Sequence, residues 1–389
     1  MACILKAPSA NSCGVIVFTT QERDQQIKLD LELQKAIGQL KKRWLIGLHH
    51  NWHDWNFKYD PLFDFSMAGD GDLREVQNKD FPRIAMDACN FVPNSFQSGS
   101  SEKFWDILYV ARAVNFKRIP EFFSTIRQLY DSGHKHRVLF ICPVPPYSPS
   151  EEKTVFYKIR ETYDKMFSED EKNFFNLLTI EYRYPFPFDL ETLAHFYRSC
   201  KVFVHTADDE RRCRVASYAW ASGLPVVGMD CVGGLLPEEA RKPPYFFETK
   251  RYSDFPKQIT KAIDSFPIED WDSSLMQSTF SESYTPDTLD LSLSQIAQNS
   301  GHPFRVGNLL RKNLSIRLGR HHNNASGPNS IDSSLQSLIR WLERAGVDWQ
   351  SVLDSNDPEK TIQASMKGTH LGRKLLERFF PRSHSEEKS

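Results

Sequence analysis

Residues 201–228 read KVFVHTADDERRCRVASYAWASGLPVVG. An apolar, β-branched run over 201–205 gives way to an acidic stretch, then to a helical pattern over 211–222, and then to a second apolar run at 224–228. Both runs, VFVH and PVVG, are apolar on successive positions, as in a strand covered on both faces. Two such strands joined through a helix need a crossover connection, so the stretch predicts neighbouring parallel strands in an α/β sheet.

The same alternation extends upstream. Strands are predicted at 106–111, 137–142 and 177–181, with helices at 119–130, 151–166 and 189–199, and a further helix follows at 253–265. Strands alternating with helices of this length give a doubly wound parallel sheet. Nearer the start, 14–20 reads as a strand, 21–43 as a charged helical stretch and 44–48 as another strand. Residues 51–79 are aromatic, acidic and glycine-containing without a sustained period, and read as loops. Beyond 266 the alternation stops; 323–328 (NNASGP) reads as a linker, 331–380 as helical and 383–389 as a disordered tail.

At 389 residues the chain exceeds the roughly 250 to 300 at which a single core stops growing. The expected division is 1–100 for a short first α/β domain, 101–268 for the doubly wound domain and 269–389 for a segment ending in a helical extension. A charged fraction of 25% and a formal net charge of -1 argue against a chain-wide nucleic-acid or membrane field. Arg305, Arg311, Lys312, Arg317 and Arg320 leave peripheral contact with an anionic surface open. The seven cysteines contain no C-x-x-C pair and read as reduced, mostly buried thiols. With neither a secretory signal nor a membrane-spanning run in the sequence, a cytoplasmic location is expected.

In an open parallel sheet, ligands bind beyond the carboxyl ends of the strands, so candidate residues are those that follow strands. Arg112 directly follows DILYVA, and Lys117 comes five positions later; the pair can neutralise a diphosphate. Asp208, Asp209 and Glu210 follow VFVH and precede a helix, where a carboxylate caps free N–H groups or accepts from sugar hydroxyls. Local charge balance against Arg211, Arg212 and Arg214 is the plainer alternative. Neither G-x-G-x-x-G nor G-x-x-x-x-G-K-[ST] follows a strand.

The order and spacing of these segments resemble the retaining glycosyltransferases of the GT4 family, whose fold, GT-B, pairs two Rossmann-like domains. In that family a strand ending in Gly-Arg is followed five residues on by Lys, matched here by Ala111-Arg112 and Lys117. The later A-x-G-x-P-V-V is matched by ASGLPVV (221–227), and D-x-G-G-x-x-E is approximated by DCVGGLLPE (230–238), with Gly233 and Gly234. The resemblance spans about 104–265, roughly two-fifths of the chain, and implies a crossover back to the first domain within 269–389. It implies sugar transfer with retention from a UDP- or GDP-linked donor to a glycan, lipid or small-molecule acceptor, without metal, further cofactor or nucleic acid. Catalytic roles fall on Arg112, Lys117 and Glu210; donor or acceptor contacts fall on Asp209, Arg211, Gly233 and Gly234, and on His49 and His50, which follow WLIGL.

Two departures stand out. The family's second glutamate, eight positions after the first, is replaced by Tyr218, expected to face the nucleoside, and its glycine turn becomes Arg211-Arg212-Cys213-Arg214. On these grounds a non-catalytic relative that binds carbohydrate or nucleotide is the competing reading.

Overall fold

The computed structural model describes residues 3–6, 8–9, 11–50, 60–69, 81–97, 99, 101–144, 150–181, 188–307 and 309. Two sheets organise them. The first contains β1 (Cys3–Lys6), β2 (Gly14–Thr19), β3 (Trp44–His49), β4 (Phe65–Ala68) and β5 (Arg83–Ala85), in that spatial order. Its strands are parallel apart from β1, which runs antiparallel to β2 at the edge. Between β2 and β3 lie α1 (Thr20–Gln25) and α2 (Leu31–Leu40). The helix expected across 21–43 is therefore broken. Buried Ile27 sits in an intervening 3-10 turn, and the Asp30 carboxylate accepts from the Leu33 amide at 3.0 Å, starting a new helix.

The second sheet holds β6 (Trp105–Val110), β7 (Val138–Val144), β8 (Phe175–Glu181), β9 (Cys200–His205), β10 (Val226–Met229) and β11 (Phe246–Thr249), all parallel. Its helices are α3 (Ile119–Asp131), α4 (Ser150–Met166), α5 (Glu169–Lys172), α6 (Leu190–Arg198), α7 (Arg214–Ala221), α8 (Asp230–Gly233) and α9 (Phe255–Asp264). Successive residues of β6 enter opposite cores: Ile107 and Tyr109 pack with α3 and α9, Leu108 and Val110 with α6 and α7. That explains the uninterrupted apolar runs. The spatial order is β11-β10-β9-β6-β7-β8, so the winding reverses between β6 and β9. This reversal is the topological switch point of a doubly wound sheet. The α/β class with two Rossmann-like halves, expected from the sequence, is what the chain forms.

Four short strands, β1, β4, β5 and β11, lie where loops or nothing regular were expected. β4 falls inside the stretch expected as loops, with all four residues buried, while 51–59 and 70–80 lie outside the described residues. β11, FFET, completes the far edge of the second sheet. The five cysteines Cys13, Cys89, Cys142, Cys200 and Cys213 are buried thiols, and Cys231 is half-buried. Among the described residues no helix is long and apolar enough to cross a membrane.

After the second sheet the chain continues through α10 (Ser273–Phe280) and α11 (Thr285–Asn299). Phe280 of α10 stacks on Trp220 of α7 at 5.4 Å. Leu289, Leu293, Ile296 and Ala297 of α11 join the core of the first sheet, against Val15, Val17, Leu45, Phe65 and Ile84. The chain therefore returns to the half in which it started. The segment 302–307 follows it there: buried Lys6 donates to the carbonyls of Arg305 and Gly307 and lies 3.7 Å from Asp290. The basic positions from Arg311 onward, the linker, the later helical region and the tail lie outside the described residues.

Candidate functional site

The site is built where β6 and β9 end side by side. Beyond β6, residues 115–117 form a 3-10 turn, and Arg118 takes left-handed backbone (φ 53) before α3 starts. A non-glycine residue in that region carries a strain of about 1–3 kcal/mol, held by its surroundings. Here Tyr109 donates to the Lys117 carbonyl at 2.7 Å, and the Thr206 hydroxyl shares a bond between the carbonyls of Lys117 (2.9 Å) and Arg118 (3.0 Å). Tyr109 and Thr206 stand 2.9 Å apart, so the loops after β6 and β9 are tied into one unit.

That unit brings Lys117 and Glu210 together. The Lys117 ammonium donates to Oε2 of Glu210, and Nε2 of His205, the last residue of β9, meets the same oxygen at 2.5 Å. His205 is fully buried; the Glu210 side chain keeps 17% of its surface. Burial opposes the charged form of Glu210, but the Lys117 ammonium and His205 outweigh it and hold the carboxyl well below its usual value. Burial, then the nearby ammonium, lowers the His205 imidazole, against the pull of Glu210. The cluster is thus a carboxylate, an ammonium and a neutral imidazole.

A metal has to be weighed, because His205, Glu210 and Cys213 place ligand-type atoms within 4.8 Å of one another. Burial raises the Cys213 thiol far above its ordinary value, which disfavours the thiolate a metal needs. The Lys117 ammonium already sits on the carboxylate. The donor set fits an internal cation better than a divalent ion.

The other sequence candidates are distributed around this cluster. Arg112 is 44% exposed and forms a salt bridge with Glu152 of α4 (Nη2–Oε1 2.8 Å), so it shares the loop of Lys117 without joining the ion pair. Asp209 is exposed and Arg211 half-buried beside Glu210. Asp208 pairs with Arg118 at 2.7 Å and accepts from the Tyr252 hydroxyl at 3.2 Å. Arg212 reaches the first sheet: it donates to the His50 carbonyl, beyond β3, and its Nε lies 3.4 Å from buried Asp87. His50 is itself buried, its Nε2 2.9 Å from Ser66 Oγ, whereas His49 is partly exposed at the strand end. Gly233 and Gly234 are buried after β10. A Cβ on Gly233 would stand 2.6 Å from the Phe246 ring, so close packing on β11 accounts for that glycine.

Tyr218 requires a correction. Expected to face a nucleoside, it is fully buried in α7, stacked on Phe96 at 4.2 Å and edge-on to Tyr197 at 5.9 Å. The helical period turns this position into the core. His205 is the converse: it stands as the last residue of a predicted strand, and its one signal in the sequence is a histidine closing an otherwise apolar run five positions before Glu210.

No family model matches the chain, and no curated protein does. Solved structures do. HepE from Anabaena in complex with UDP is similar at 13% identity and TM-score 0.45, over 69% of this chain and 76% of that one. An α,α-trehalose-phosphate synthase (UDP-forming) from Burkholderia xenovorans, in complex with glucose-6-phosphate, is similar at 14% and 0.47, over 69% and 71%. The pneumococcal O-GlcNAc transferase GtfA, in complex with UDP and GlcNAc, is similar at 12% and 0.36, over 69% and 53%. The chain thus spans about half the length of GtfA, and 55% of the matched chain in a GtfA/B complex.

Proposed function

We propose that the chain is a glycosyltransferase that moves a sugar from a nucleotide-diphosphate donor, UDP- or GDP-linked, to an acceptor hydroxyl with retention at the anomeric carbon. One observation carries the reading. Lys117 and Glu210, 93 positions apart and singled out by separate motifs, meet in one ion pair at the switch point of a doubly wound sheet. In this reading 101–268 binds the donor, 1–100 faces the acceptor, and the acceptor is a glycan, a lipid or a small molecule. Lys117 turns to the departing diphosphate, joined by Arg112 once a ligand phosphate replaces Glu152, and Glu210 accepts from the donor's sugar hydroxyls. Catalysis is electrostatic, through cations drawn to the charge developing on the leaving group. An oxocarbenium-like route on the donor's own face fits the absence of a glycosidase-type carboxylate pair from the described cluster. The ammonium takes the part a divalent ion would otherwise play, so the reaction proceeds without metal.

The burial of Tyr218 favours a second reading, a non-catalytic relative, because it removes an expected contact to the ribose. One experiment separates the two. Thermal-shift titration with UDP, GDP and their common sugar conjugates is run on the native chain, Lys117→Ala and Glu210→Ala, and bound donors are then followed by NMR. A ligand at about 100 times its Kd stabilises by about 2.7 kcal/mol. A shift with one nucleotide family that is lost in Lys117→Ala, with an axial or equatorial product matching the donor anomer, supports retaining transfer. A shift without turnover supports the binding relative, and no shift with any nucleotide overturns the transferase reading and leaves the non-catalytic, carbohydrate-binding relative.

A further inference from the structure

We propose that His205 is a positioning residue, which anchors one oxygen of the Glu210 carboxylate so that the other is presented to a ligand hydroxyl. The choice of ligand, a donor sugar, rests on the transferase reading; the anchoring does not. Both internal donors, Nε2 of His205 and the Lys117 ammonium, converge on Oε2. Among the described residues no hydrogen bond reaches Oε1, and the side chain keeps its 17% exposure. One oxygen is committed to the protein and one faces outward.

The ring of His205 cannot readily swing away. It is fully buried, lies nearly parallel to Phe203 (6.0 Å, 14°), and packs 6.3 Å from Tyr109. Its Nδ1 is buried and meets no hydrogen-bond partner among the described residues. The proton therefore belongs on Nε2, where the carboxylate accepts it. Lys117 alone would not serve, because a flexible ammonium drawn to a diphosphate leaves the carboxylate behind. With His205 fixed on β9, Glu210 stays in place when Lys117 moves.

The groups facing this pair are Lys117 and Tyr109 from β6 and its turn, Cys213 ahead of α7, and Cys231 of α8. The thiols and the phenol are raised by burial and stay neutral, so Glu210 and His205 set the acid behaviour of the cluster. The test uses His205→Phe, which keeps a stacked ring without the donor, and His205→Gln, which restores an N–H near the Nε2 position. Hydrolysis of UDP-glucose and of GDP-mannose is measured across pH. Affinity for UDP is measured by calorimetry. The Glu210 carboxyl is titrated by carbon-13 NMR, its signal assigned by its loss in Glu210→Gln.

His205→Phe is expected to lower kcat roughly tenfold or more and to move both the acid limb and the carboxyl titration up by about one pH unit. UDP affinity stays unchanged, and His205→Gln recovers most of both effects. A His205→Phe variant that melts like the native chain and leaves kcat and the carboxyl titration unmoved overturns the proposal. If neither sugar nucleotide is turned over by the native chain, the transferase reading fails while the carboxyl titration still decides the role of His205. Should the Phe variant not fold, nitrogen-15 spectra of the native chain decide: an Nε2–H tautomer that changes in Glu210→Gln supports the anchoring, and an Nδ1–H tautomer refutes it.

Discussion

Glu210 carries a carboxylate whose two neighbours depress its proton affinity, and this makes it a stability group as well as a site group. Its carboxyl sits at about 2 in the folded chain, against an ordinary value of 4.5. A depressed carboxyl stabilises fully above its unfolded value and loses that contribution as pH falls toward the folded one. In urea unfolding, the native chain is therefore expected to exceed Glu210→Gln most above about pH 5, with the difference shrinking toward about pH 3; a constant difference would refute the assignment. Tyr218 gives a contrasting prediction. Tyr218→Phe should leave nucleotide affinity unchanged in calorimetry, because the phenol is enclosed by Phe96 and Tyr197, while Tyr218→Ala should destabilise by about 3–5 kcal/mol. That Lys117 and Glu210 meet was legible only through the family resemblance, since a charged residue after a strand is on its own no signal. Tyr218 was misread for a physical reason: counting from a motif fixes a residue's place in the chain but not which face of its helix points inward. His205 left only its place at the end of an apolar run, since its partner lies in the next loop and one histidine has no period.

At the scale of elements, the long strands and amphipathic helices of the second sheet were readable because burial on both faces forces continuous apolar runs. Of the short ones only β10 was, because Leu224 and Pro225 lengthen its apolar run. β1, β4, β5 and β11 have three or four residues each, too few for a period to declare itself, and they exist because neighbouring strands supply their hydrogen bonds. The break between α1 and α2 was hidden by a stretch helical in composition throughout. Packing between α8 and β11 makes a further prediction. In Gly233→Ala the new methyl meets the buried Phe246 ring at 2.6 Å. Ala gains up to about 1 kcal/mol in helix propensity, but overpacking costs about 1–3 kcal/mol, so the variant should melt below the native chain. A variant at or above the native melting temperature would mean that the α8–β11 contact yields and that Gly233 needs another explanation.

At the scale of the whole molecule, the two halves are linked by an arginine beside the site and by the helices that return to the first sheet. Arg212 reaches from the loop of Glu210 to the His50 carbonyl and to Asp87, a link with no sequence signature because its partners lie far apart in the chain. Arg212→Ala leaves buried Asp87 without that guanidinium and should destabilise by about 3–5 kcal/mol in urea unfolding; a change within about 0.5 kcal/mol would show that the contact contributes little. The return of the chain to its first half was expected only through the family resemblance, and the residues that make it are ordinary apolar ones. Leu293→Ala, in α11, should cost about 2–5 kcal/mol by opening the core of a sheet whose first strand starts at Cys3. That arrangement also sets an order of events during synthesis. Domains usually fold as the ribosome releases them, amino end first, but the first sheet here lacks part of its apolar cover until α11 has left the exit tunnel. The first half must wait, incompletely packed, while the second is translated, and a nascent chain stalled before Thr285 should be cut by protease in the first half and protected in the second.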